Sequence, residues 1–180
     1  MLNPVLLLTV SFLAANVMHG YLLYRQRDDR KPTISHHAAK SPRTQLFYAL
    51  GHIVAATSFY MFARKFFSGT PQAGALIVVS TIGYVADIIQ AFIPARGKIE
   101  KYHEFFAYIM AFSVIIIAVL AAFTIPQAPL AAFVSKTLAG CLVLSIPASN
   151  IIEQRYFYRI QMVSLIIFYI GLYVIVLGIT

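Results

Sequence analysis

The chain reads as an all-α integral membrane protein, a single domain over residues 1–180 built as a bundle of six transmembrane helices. Three observations predict this fold. Hydrophobic residues make up 60% of the 180 residues and charged residues only 11%, with a mean hydropathy of +0.79; soluble domains carry roughly 25% charged residues. Six apolar runs fill nearly the whole length, each close to the ~20 residues a bilayer requires at about 1.5 Å of rise per residue. The ionisable side chains collect between the runs, in loops too short to hold a soluble domain.

The first span, about 4–24, begins at Pro4. No Lys or Arg precedes it and no small-residue cleavage signature follows, so it reads as a retained helix rather than a signal peptide. It ends in the run Arg25-Gln26-Arg27-Asp28-Asp29-Arg30-Lys31, and loop one continues through Pro32-Thr33-Ile34-Ser35-His36-His37 to Ser41-Pro42. Span two, about 43–63, is followed by Arg64-Lys65 and the tight turn Ser68-Gly69-Thr70-Pro71. Span three, about 72–93, is stopped by Pro94, and Ala95-Arg96-Gly97-Lys98 opens loop three. Span four covers about 102–123, and Pro126 and Pro129 bracket the connection to span five, about 130–152. Pro147 is expected to kink span five or end it early. Glu153-Gln154-Arg155 then turns the chain into span six, about 157–178. The lone cysteine, Cys141, excludes an intramolecular disulfide and is expected to be a small apolar core residue of span five.

Six spans place both termini on one side, and charge decides which. Loops one, three and five carry Arg25, Arg27, Arg30, Lys31, Lys40, Arg43, Arg96, Lys98, Lys101, Arg155 and Arg159, eleven of the fourteen cations. Loop two has Arg64 and Lys65, and Lys136 lies within span five, where its long stem can snorkel to the opposite interface. The positive-inside rule therefore puts loops one, three and five in the cytoplasm and both termini outside. The net charge of +8 resides in loops, which points to anionic lipid headgroups and not to nucleic acid.

The polar residues within the spans gather toward that same face. Asp87 lies roughly 9 Å in from the end of span three by helical rise, where a carboxylate costs a few kcal/mol and marks a site or a buried partner. Ser80, Gly83, Tyr84, Asp87 and Gln90 recur at helical spacing, so they share one stripe facing other helices. His52 lies at comparable depth in span two, on a stripe with Tyr48, Gly51 and Ala55, whose small members allow close helix approach. Span one contributes Asn16, His19 and Gly20, and span four opens with His103-Glu104. His19, His52, Asp87, Gln90, His103 and Glu104 are thus the expected lining of a polar pocket at the cytoplasmic face, with Ser35, His36 and His37 as loop candidates. The bland alternatives are an interhelical His52–Asp87 tie, interfacial positions for His103 and Glu104, and solvated loop positions for His36 and His37.

Several chemistries can be weighed against this set. A b-type haem needs two axial histidines across the bundle, here His52 with His19 or His103. A zinc site needs three or four ligands, for which His36, His52, Asp87 and His103 are the available set, without a tight motif on one helix. A Ser35–His52–Asp87 triad lacks a nucleophile-elbow signature. The preferred reading needs no cofactor, with zinc and haem as alternatives.

Pro32-Thr33-Ile34-Ser35, then Pro42 leading into Leu46-Phe47-Tyr48-Ala49-Leu50-Gly51, and later Phe92-Ile93-Pro94 and His103 with Phe106-Ala107-Tyr108 behind it, form a pattern. It resembles an uncharacterised prokaryotic family of six-span membrane proteins and, more distantly, the Frag/DRAM/Sfk type. The resemblance implies six spans, a role for Ser35, Pro94 and His103, and by analogy an association with lipid remodelling and membrane stress. The chain departs from the pattern where His36-His37 replace an acidic residue and where loop one is strongly basic. Intramembrane hydrolases of the ceramidase and adiponectin-receptor type also gather Ser, Asp and His at one face, but they have seven spans and late paired histidines. Here no histidine follows His103.

The function expected is that of a multi-pass membrane protein binding or organising lipid, or a partner protein or second copy, through a polar pocket and basic loops. The competing classes are a metal-dependent intramembrane hydrolase acting on a lipid and an accessory subunit of a larger membrane complex.

Overall fold

A computed structural model describes residues 3–25, 33–151 and 157–179. Seven α-helices, α1 (Pro4–Arg25), α2 (Ile34–Ala38), α3 (Pro42–Phe67), α4 (Ala73–Phe92), α5 (Glu100–Thr124), α6 (Pro129–Ile151) and α7 (Phe157–Leu177), occur among these residues, with no strand. All but α2 are long and apolar enough to cross a membrane. The run Gln26–Pro32 and the segment Ile152–Tyr156, with the charges of Arg27, Asp28, Asp29, Arg30, Lys31, Glu153 and Arg155, lie outside the described residues.

Helix ends follow from local chemistry. Asn3 Oδ1 accepts from the Val5 amide at 2.8 Å ahead of α1, whose first residue is Pro4. Ser41 and Thr44 form a reciprocal capping box at the start of α3, with Pro42 in the first turn. α4 ends where Pro94 forces Ile93 out of helical geometry, to φ −91° and ψ 113°. Gly97, at φ +64°, starts a 3-10 turn, Gly97–Ile99, that feeds α5. Pro147 neither stops nor shortens α6, which continues to Ile151.

Two features differ from the expected spans. α3 extends to Phe67, because Arg64 and Lys65 suit the negative end of the helix dipole and Phe67 is fully buried. Loop one also contains a helix: Thr33 caps α2 by accepting from the His36 amide, and the short element is held by tertiary packing.

α1 packs on α3, α3 on α4, α4 on α5, and α5 on both α6 and α7; α6 pairs with α7, and α1 reaches α7. Two interfaces are tight. A Cβ on Gly51 would overlap the Met18 side chain of α1, and one on Gly83 would lie 2.9 Å from Ser113 Cβ of α5. Gly51 therefore serves the close approach expected of its stripe, and Gly83 does the same between α4 and α5. Ser11 of α1 donates to the Ala55 carbonyl at 2.8 Å and pairs with the Tyr169 hydroxyl at 2.5 Å, and Thr9 pairs with the Tyr173 hydroxyl at 2.7 Å. A larger apolar core includes Phe62, Phe67, Leu76, Ile117, Leu142 and Leu172, and a smaller one unites Met18, Leu22, Ile34, Ala38, Tyr48 and Ala91. Outward faces carry Leu13, Val17, Leu50, Val78, Phe112 and Phe133, all exposed, which suits a hydrocarbon surround and not water. On α6, Lys136 is exposed with its Nζ 5.4 Å from the Phe123 ring centre, and Cys141 is exposed on an outward face instead of lying in the core.

Candidate functional site

Side-chain contacts bring the N-terminal ends of α3, α5 and α7 and the C-terminal end of α4 to one end of the bundle, around α2. Thr44 donates to the Ala38 carbonyl at 2.6 Å, Arg96 Nη1 to the Ala39 carbonyl at 3.3 Å, and Gln45 Nε2 to the Ala91 carbonyl at 2.8 Å. The His37 ring meets the Tyr158 ring edge-on at 6.4 Å.

One to two turns in from this end, polar side chains of α1, α3 and α4 meet. His52 Nδ1 lies 2.8 Å from Asp87 Oδ1, and Gln90 Nε2 donates to the same oxygen at 2.9 Å. Tyr48 donates to Gln90 Oε1 at 3.3 Å and packs its ring 4.2 Å from that of His52. The His19 ring lies 5.7 Å from the His52 ring, tilted by 57°. The cluster is largely enclosed by protein, with His52 and Asp87 side chains only 9% and 15% exposed. The i, i+3 and i, i+4 spacing of Asp87–Gln90 and Tyr48–His52 is what puts each pair on one helix face.

His103 occupies a different position. Its Nδ1 lies 2.9 Å from the Gln90 carbonyl and 2.7 Å from that of Ile93, so its N–H caps the end of α4. This adds a donor at the end of α4, where Pro94 has no N–H to give and the Gln90 carbonyl otherwise accepts only the Ile93 amide, at 3.2 Å. His103 is buried, 3% exposed. Glu104, the next residue, points about 100° away around the helix and is exposed, outside the cluster.

The loop candidates form a second tier. His37 is 3% exposed and Ser35 8%, so the solvated reading of this segment gives way to a packed one. His36 Nε2 lies 2.7 Å from Glu100 Oε1, and its Nδ1 pairs with the Thr33 hydroxyl at 2.5 Å. Thr33 also bonds the Ser35 hydroxyl at 2.8 Å. Sequence reasoning passed over Glu100 and Thr33. Glu100 lies three residues before His103, on the same helix face, and that spacing could have flagged it.

Tested against cofactors, the arrangement is selective. His36, His52, Asp87 and His103 do not converge, and among the described residues no three His, Cys, Asp or Glu side chains gather as a metal site. The His19 and His52 ring centres lie 5.7 Å apart, tilted by 57°, and Tyr48 packs on His52, so these two rings do not face each other across a gap as paired axial ligands do. Ser35 is bonded to Thr33, and His52 makes no bond to it.

No family model, curated protein or solved structure matches the chain.

Proposed function

We propose that this is a non-enzymatic multi-pass membrane protein whose basic, cytoplasmic end binds and organises anionic lipid headgroups. The observation that carries the reading is the charge at one end of an apolar bundle: Lys40, Arg43, Arg96, Lys98, Lys101 and Arg159 are all exposed there. Of the acids at that end, Glu100 is engaged by His36. Each basic residue near an anionic surface contributes about 1 kcal/mol of attraction. The His52–Asp87 cluster and the His103 cap support this role by fixing α1, α3, α4 and α5 relative to one another, so that the cations are presented on a rigid frame.

The test compares protein in nanodiscs of phosphatidylcholine alone with nanodiscs containing phosphatidylglycerol. Anionic lipid should co-purify through delipidation and raise Tm, and the triple variant Arg96→Glu, Lys98→Glu, Lys101→Glu should lose both effects. Equal lipid retention and equal Tm in the two membranes would refute the reading.

A further inference from the structure

Asp87 has an unusual set of partners. It is met by His52 and Gln90, and no lysine or arginine reaches it among the described residues. A buried carboxylate within an apolar helix must be neutralised, and among the described residues that falls to a proton, on the carboxylate itself or on the imidazole beside it. His52 uses Nδ1 toward Asp87, while its Nε2, in a side chain more than nine-tenths buried, has no hydrogen-bond partner. His19 Nδ1, on the adjacent ring, is likewise buried without one. Two neighbouring buried nitrogens without partners cost about 1–3 kcal/mol each, and polar sites of this kind are where internal water is held.

We propose that His19, His52 and Asp87 form a proton-binding site, completed by an internal water that bridges His19 Nδ1 and His52 Nε2. A proton delivered from a buffer acid or hydronium at the basic end binds His19 Nε2, and His19 releases the proton carried on Nδ1. The bridging water takes that proton and passes one of its own to His52 Nε2, so His52 becomes doubly protonated against the Asp87 carboxylate; release reverses these transfers. One proton enters, and the cluster charge rises by one. His19 lies six residues before Arg25, the residue at which α1 ends. The other titratable groups within electrostatic reach are Tyr48 on α3, His103 on α5, and Tyr169 on α7, with His36 of α2 acting on His103. Of these, His103 is committed to carbonyls, and Tyr169 to Ser11. Tyr48 donates to Gln90. The wire therefore runs through His19 and His52.

Solid-state NMR of the full chain in nanodiscs, with nitrogen-15 histidine and carbon-13 aspartate, tests the site directly. His52 ring nitrogens and the Asp87 carboxyl should shift together as the pH is changed, and His52 Nε2 should show magnetisation transfer from water. In His19→Phe the water transfer to Nε2 should be lost, while His19→Gln, which keeps a hydrogen-bonding group, should retain it. Should His19→Phe fail to fold, the wild-type titration and water contact decide alone. Invariant His52 and Asp87 signals, or a dry Nε2 in the wild type, would overturn the proposal. Neither outcome depends on lipid retention, so this site and the headgroup reading stand or fall separately.

Discussion

Replacing His52 by Phe and Asp87 by Leu, singly and together, measures what the central pair contributes. Asp87 Oδ1 takes one hydrogen bond of 2.8 Å from His52 and one of 2.9 Å from Gln90. His52→Phe removes the ionic partner and leaves a buried carboxylate, for which the cost in proteins is about 3–5 kcal/mol. Asp87 can relieve part of this by taking up a proton, so the expected loss lies near the lower figure, ~3 kcal/mol. Asp87→Leu leaves the His52 N–H and the Gln90 amide without their acceptor, at about 1–3 kcal/mol. The double variant removes the buried charge and its partner together and substitutes apolar groups, a change that is often near neutral. It should therefore be more stable than His52→Phe alone. Neutral interhelical hydrogen bonds in membranes couple by about 0.6 kcal/mol on average, so a coupling well above that value identifies the pair as ionic. Reversible unfolding in bicelles, by detergent titration or steric trapping, gives all four stabilities. Additivity within about 0.5 kcal/mol would show that the two residues do not interact, and would refute the pairing.

Gly51→Ala should destabilise the bundle by about 1–3 kcal/mol through overpacking, because its Cβ falls on Met18 across the α1–α3 interface; Met18→Ala should recover part of the loss in the same unfolding assay. His103→Phe keeps the ring volume but uncaps the Gln90 and Ile93 carbonyls, and should cost about 1–3 kcal/mol, with faster amide exchange in residues 93–99 than in α6. Glu100→Gln should change global stability by less than about 1 kcal/mol, since its side chain is 33% exposed, yet exchange within Ile34–Ala38 should accelerate as α2 loses its His36 anchor.

The six long helices were legible because length and apolarity determine them almost alone. The depth shared by His52 and Asp87 was legible too, from spacing within each span. What could not be read was any arrangement whose partner is backbone or a distant short element. His103 stands at a helix start, but its partners are carbonyls at the end of α4, and a carbonyl leaves no trace in residue identity. α2 has five residues, too few for periodicity to register, so burial of Ser35 and His37 became visible only in the packed fold. Glu104 was misplaced for a reason the sequence did contain, since burying His103 turns its neighbour outward.

The orientation of the basic end carries the proposed function, and cysteine accessibility in intact cells tests it most directly. With Cys141→Ser as background, Lys98→Cys and Ser68→Cys place single thiols at exposed positions before α5 and after α3, on opposite ends of the bundle. A membrane-impermeant maleimide should label the thiol at 68 in intact cells and reach the one at 98 only after permeabilisation. Labelling at 98 with protection at 68 would invert the topology and remove the cytoplasmic headgroups from the proposed site.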